Sequence, residues 1–171
     1  MIIGDILMDG LLAAIAGVGF GAISLPPGRA FPYIAILAAI GHAIRFSLMN
    51  YLLLDIASAS FCASVSIGLL SLWFGKRSFC PMTVLYIPAL LPMIPGMYAY
   101  RTVFAMVMFM QHLKESAVAE EYMQTLLSNA IVTFSTVFLL AVGATIPIFL
   151  FPKRAYTMTR RKIKNFEIEK K

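Results

Sequence analysis

The sequence predicts an all-α, polytopic integral membrane protein with five transmembrane helices, the fourth of them discontinuous at a proline-rich break. Three observations predict it. Of 171 residues, 60% are hydrophobic and 13% charged, and mean hydropathy is +0.85; a soluble domain carries about a quarter charged residues. The apolar residues fall in runs of roughly 20, the length a bilayer core requires. The charges collect between the runs and at the end, where eight of the fourteen Lys and Arg residues follow residue 152. The chain thus divides into a transmembrane domain, 1–152, and a basic tail, 153–171.

The first span is 5–25, DILMDGLLAAIAGVGFGAISL, ended by LPPG. The N-terminus lacks a basic n-region and a small-residue cleavage site, so it reads as an uncleaved first helix. GVGFG at 17–21 lacks the spacing and the preceding strand of a dinucleotide fingerprint. The second span is 31–49 and the third 55–74, with Asp55 as its expected N-cap; the basic loop GKRSF follows. The fourth unit, 81–110, would reach about 45 Å as one helix, long for one crossing and short for two. It holds Pro88, Pro92, Pro95 and Gly96, so half-helices near 82–91 and 97–110 joined by an unwound PMIPG fit best. The polar loop QHLKESAVAEE precedes the fifth span, roughly 124–150. Small residues recur at i, i+4, i+8 in three spans: Ala13, Gly17, Gly21; Ala35, Ala39, Ala43; Ser60, Ser64, Gly68. Such stripes let helices approach closely in lipid.

Loop charge orients the chain. With five crossings, Arg29, Lys76, Arg77 and the eight basic tail residues share one side, and Lys114 alone faces the other. Basic loops stay cytoplasmic, so the N-terminus is expected outside and the C-terminus inside. The tail needs no ligand beyond this anchoring. Cys62, within a span, and Cys80, beside a basic loop, do not suggest a disulfide.

No P-loop, HExxH, CxxC or GxSxG occurs, which argues against an enzyme, and His42 and His112 are too scattered for a metal site. No cofactor or nucleic acid is expected. What stands out is GHAIR at 41–45. His42 and Arg45, at i and i+3, share a helix face, about 16 and 21 Å into span two. Intramembrane charge is costly and normally faces a partner or a wet cavity. The blander readings are an Arg45 that snorkels to the headgroups while pairing Asp55 or Asp9, and a His42 that is merely packed. Arg101 lies just past the break. Broken helices leave backbone groups free at membrane depth, which is tolerated only inside protein or against water, and such breaks form substrate sites in secondary transporters. The competing reading is a kink with no ligand. The candidate substrate-binding set is therefore Arg45, Arg101, His42, Pro92, Pro95, Gly96, Tyr98 and Tyr100. His42 is the candidate for proton coupling, since it titrates nearest neutrality. Asn129, Thr133 and Thr136 are candidates to line the cavity.

GHAIRF, ASFCASVSIGLL and above all IPALLPMIPGMYAYR resemble the threonine/serine exporter family, and within it the short five-span subunit that acts with a second subunit in succinate export. The likeness covers roughly residues 5–150. It implies a proton-driven exporter in the bacterial inner membrane, with the N-terminus periplasmic and the C-terminus cytoplasmic. It also implies ten spans per functional unit, so a second membrane subunit is the expected partner, and a higher oligomer is compatible with it. The tail is longer than the short subunit would require.

The residues lean toward an anionic substrate, succinate or a related C4-dicarboxylate. A zwitterionic threonine or serine needs a carboxylate for its ammonium, and only Asp5, Asp9 and Asp55, at helix ends, are present in the spans. Two alternatives are an amino-acid exporter whose partner supplies that carboxylate and a non-transporting assembly or scaffold protein. A lipid-modifying enzyme ranks last, because the spans hold no nucleophile–base pair.

Overall fold

The computed structural model describes residues 2–152; the basic tail, 153–171, lies outside the described residues. Helix α1, Ile2–Ile23, stops before Pro26 and Pro27, and a 3₁₀ turn, Gly28–Ala30, leads into α2, Phe31–Tyr51, with Pro32 in its first turn. Pro is tolerated there because the first-turn N–H groups have no helical partner. Asp55 caps α3, Ile56–Ser78, accepting from the backbone N–H of Ala57 and Ser58 at 3.0 Å each. These bonds, that from the Ser58 N–H foremost, favour the ionised carboxyl and hold it below the usual carboxylate range. The expected basic loop GKRSF is mostly helical: Lys76 and Arg77 form the last turn of α3, where cations complement the helix dipole. Phe79 then reverses the chain at φ 52°, and Leu25 and Leu53 do the same after α1 and α2.

Helix α4, Met82–Leu90, continues through a 3₁₀ turn, Leu91–Met93, to the break. Helix α5, Gly96–Gln111, leaves at 55° to the first half. Helix α6, Ser116–Leu150, starts eight residues before the expected span. The stretch AVAEEYMQ is made largely of good helix formers, so the loop is helical too. At 35 residues, α6 is about 52 Å long and overruns a ~30 Å hydrocarbon core.

Glycines define the packing. A carbon added at Gly10 would meet the Ala39 carbonyl at 3.4 Å, at Gly17 the Ala38 methyl at 2.9 Å, and at Gly21 Ile34 at 3.1 Å. Falling numbers on α2 against rising numbers on α1 make the pair antiparallel. Pro88 of α4 also touches Gly17 and Gly21, so α4 lies against the α1–α2 seam. On the other side, a carbon at Gly68 would meet the Ala144 carbonyl at 2.9 Å, and one at Gly143 would meet Ser64 Oγ and the Phe61 carbonyl. Here the numbers rise together, so α3 and α6 run parallel. Parallel helices require an odd number of crossings between them. The bent α4–α5 pair therefore crosses once, which gives five spans in all and agrees with the all-α, broken-span expectation. The larger side chains of the fully buried core include Ile34, Leu37, Ile67, Leu85 and Met93; Met93 seats one side of the break inside protein, while Ile94 and Gly96 are exposed.

Candidate functional site

The site is built where α1, α2 and the break meet. On α2, Gly41 has no side chain, and a carbon there would collide with Ile67 and sit 3.6 Å from the Met93 sulfur. The bare backbone lets the break seat one residue from His42. The break exposes carbonyls for a definable reason. In a continuous helix the N–H of Gly96 would bond the Pro92 carbonyl. Instead it bonds Ile94 O at 2.8 Å, while Pro95, lacking an N–H, offers nothing to Leu91. Tyr98 and Ala99 N–H both go to the Pro95 carbonyl, at 3.1 and 3.2 Å. The start of α5 thus spends most of its donors internally, and Met97 is left with the fewest commitments.

Arg45 answers one freed carbonyl: its Nη1 donates to Met93 O at 2.7 Å. His42 is buried, and its Nδ1 lies 3.1 Å from Asp9 Oδ2 on α1, the one contact between an acidic and a basic side chain among the described residues. Its Nε2 is buried and has no hydrogen bond of acceptable geometry. The Asp9 side chain is 37% exposed, so the cluster opens outward at its carboxylate. Asp9 also acts electrostatically on Arg45, without direct contact. The snorkelling reading of Arg45, with Asp9 or Asp55 as its partner, does not describe this geometry: the guanidinium is committed to the break, and Asp9 pairs with His42 instead.

The remaining candidates are distributed as follows. Pro95 is buried, Gly96 is exposed with open space around it, and Tyr98 is half-buried. Tyr100 is exposed and stacks on Phe104 at 6.3 Å. Arg101 is exposed on α5 and makes no hydrogen bond or ion pair among the described residues. Asn129 and Thr133 bond carbonyls of their own helix, Thr125 O at 2.7 Å and Asn129 O at 2.8 Å. Thr136 is buried with its hydroxyl unpartnered, as is Ser60 on α3. Both lie on the α3–α6 seam, one to two turns before Ser64 and Gly143. None of these three α6 residues bonds the Asp9–His42–Arg45 cluster. Among the described residues no group of three or more His, Cys, Asp or Glu side chains is placed to hold a metal.

Asp9 is the residue whose place in the site the sequence left open. Its signal was present: a carboxylate two turns inside an apolar helix is costly unless partnered. Its chemistry matters, because Asp9, Arg45 and the freed carbonyls together offer an anion, a cation and backbone acceptors within one cluster.

A model of the family described as Threonine/Serine exporter, ThrE, matches residues 9–150. The chain is 33% identical over 137 residues to an uncharacterized protein of Haemophilus influenzae, covering 80% of this chain and 46% of that protein. It therefore spans about half the length of that relative. No solved structure matches.

Proposed function

Because the chain belongs to the threonine/serine exporter family, we propose that it is one half of a secondary-active inner-membrane exporter of small amino acids of the threonine and serine kind. The observation that carries this reading is the Asp9–His42–Arg45 cluster seated on the break. The lean toward a dianion rested on the want of a carboxylate in the spans. Asp9 supplies one beside His42, and with Asp9 and Arg45 both ionised the cluster is neutral when His42 is neutral. A neutral site with separated charges suits a zwitterion: Arg45 retains donors beyond Nη1 for a carboxylate, and Asp9 and the break carbonyls suit an ammonium. Proton coupling belongs to His42.

The other half comes from a second membrane protein, in keeping with a relative of which the match covers only 46%. Arg29 donates to the Phe79 carbonyl at 3.4 Å, so the loops bearing Arg29 and Lys76–Arg77 share one end of the bundle. By the loop-charge rule that end is cytoplasmic, which puts the N-terminus in the periplasm. One observation favours the second reading, export of succinate or another C4-dicarboxylate: Arg101 is an uncommitted positive charge beyond the break. The test is the assembled exporter in proteoliposomes under an imposed pH gradient, loaded with labelled threonine or labelled succinate. Gradient-dependent threonine efflux, lost in Arg45→Ala, is expected; efflux of succinate alone overturns the amino-acid reading, and efflux of neither overturns both.

A further inference from the structure

We propose that the end of the bundle carrying the basic loops holds a site for an anionic phospholipid, in which Arg29, Lys76 and Arg77 take the phosphate headgroup and Trp73 and Phe79 lie against the acyl chains. The site stands apart from the Asp9–His42–Arg45 cluster and does not depend on the cargo.

Contacts bring the three cations together. Arg29, in the turn that leads into α2, donates from Nη2 to the Phe79 carbonyl at 3.4 Å, and its guanidinium stands 5.9 Å from the centre of the Phe79 ring, within cation–π reach. Phe79 directly follows the last turn of α3, which holds Lys76 and Arg77. Deeper in, Tyr33 of α2 and Phe74 of α3 pack ring to ring at 5.3 Å, which fixes the two helices against each other at this end. Trp73 packs on Phe74 at 5.1 Å. Lys76 and Arg77, at i+3 and i+4 from Trp73, share its face of α3. All three cations are exposed. Arg29 retains donors beyond the one given to Phe79, and Lys76 brings three more, so a phosphate can be held from both helices.

No carboxylate answers these charges. None of the three forms an ion pair among the described residues. The sequence holds no Asp or Glu between Asp9 and Asp55, or between Asp55 and Glu115, and Asp55 stands about 33 Å away along α3. Apolar side chains project beside the cations instead: Trp73 is 58% exposed and Phe79 76%. Phe79 sits at φ 52°, which a residue with a Cβ resists and where glycine is usual. Its N–H and that of Cys80 both bond the Gly75 carbonyl, so the turn is held, with the ring outward and the carbonyl toward Arg29. Leu25, in the loop that bears Arg29, repeats the pattern at φ 45° and 90% exposure. A soluble anion has no use for these apolar groups. A lipid does, since its headgroup lies at the level of interfacial cations and aromatics and its chains lie beside them.

Trp73 is the one tryptophan of the chain, so its fluorescence reads the site directly. In nanodiscs holding the full chain, brominated phosphatidylglycerol should quench it at a lower mole fraction than brominated phosphatidylcholine. Arg29→Gln, Lys76→Gln and Arg77→Gln should each cut that preference about fivefold, and the triple variant should abolish it. These side chains are exposed, so the variants should keep the wild-type unfolding midpoint. Glutamine at Arg160, Arg161, Lys162 and Lys164 removes more charge from the tail and should leave the preference in place. Inorganic phosphate added at constant ionic strength should not relieve the quenching, because it brings no acyl chains. Equal quenching by the two lipids, a preference that survives the triple variant, one abolished by the tail substitutions, or one displaced by inorganic phosphate overturns the proposal. Transport plays no part in the readout, so a failure of the exporter reading is separable from a failure of this one.

Discussion

Arg45 and Met93 lie 48 residues apart, yet a guanidinium nitrogen of one donates to the backbone carbonyl of the other at 2.7 Å. The bond joins the two stretches that the sequence marks out independently, GHAIR and PMIPG. Arg45→Ala should leave the carbonyl unpaired at membrane depth, at a cost of about 1–3 kcal/mol. Arg45→Lys retains a donor but loses the planar fork. Thermal unfolding in detergent should therefore fall for alanine and recover in part for lysine, while export stays low in both.

The break offers a sharper contrast. Nothing lies within 4 Å of a carbon added at Gly96, and Gly96 has no positive φ. Gly96→Ala alone should leave both stability and export near wild type. Replacing Pro92, Pro95 and Gly96 together restores two backbone donors to a run of strong helix formers. The half-helices should merge, and export per inserted complex should fall sharply. Wild-type export by the triple variant would reduce the cluster to a kink.

On the α3–α6 seam, Gly143→Ala places a carbon against Ser64 Oγ and 3.0 Å from the Phe61 carbonyl. Backbone cannot turn aside as a side-chain tip can. Overpacking of this kind costs about 1–3 kcal/mol, and the unfolding midpoint should drop accordingly. Gly19→Ala, with nothing within 4 Å, is the control and should be neutral.

Asp55→Ala removes both acceptor bonds at the start of α3 and should cost about 1 kcal/mol. The pH dependence has a definite sign. The carboxyl is held below its usual range in the folded state, chiefly by the Ser58 N–H. Its contribution is full above the unfolded-state value and is lost as pH falls through the folded one. Acid titration of stability should therefore be shallower in Asp55→Asn, which caps without ionising.

The fold was largely legible because each element carries a local cause. Prolines and LPPG end α1, Asp55 starts α3, and the proline cluster breaks the fourth span. Two boundaries were misplaced for one reason: polar residues were read as loop. Lys76 and Arg77 suit a helix C-terminus, and Glu120 and Glu121 suit a helix surface, so both segments stay helical. The site was half legible. GHAIR and the break could be named from composition, but not their contact, which needs Gly41 bare of a side chain and Ile67 and Met93 packed on it. The sequence offered Asp9 as a partner for Arg45, and the choice of His42 instead depends on the α1–α2 register. The placement of Arg101 depends on the 55° bend, which no residue pattern encodes.

Helix α6 has two neighbours at different ends. The hairpin of α5 and α6, closed by His112 and Tyr122 at 5.8 Å between rings, occupies its first half, and the tight seam with α3 occupies its second. From Gly143 back to Ala119 is 24 residues, about 36 Å of rigid rod. If the seam is the pivot, each degree of rotation there displaces the hairpin end by about 0.6 Å at that rise per residue. A rearrangement at the break that tilts α5 by a few degrees is thereby returned, through α6, as a movement of a few ångströms beyond the bilayer surface. The residues that project there, Glu120 and Glu121 among them, are the ones that an aqueous probe would see move.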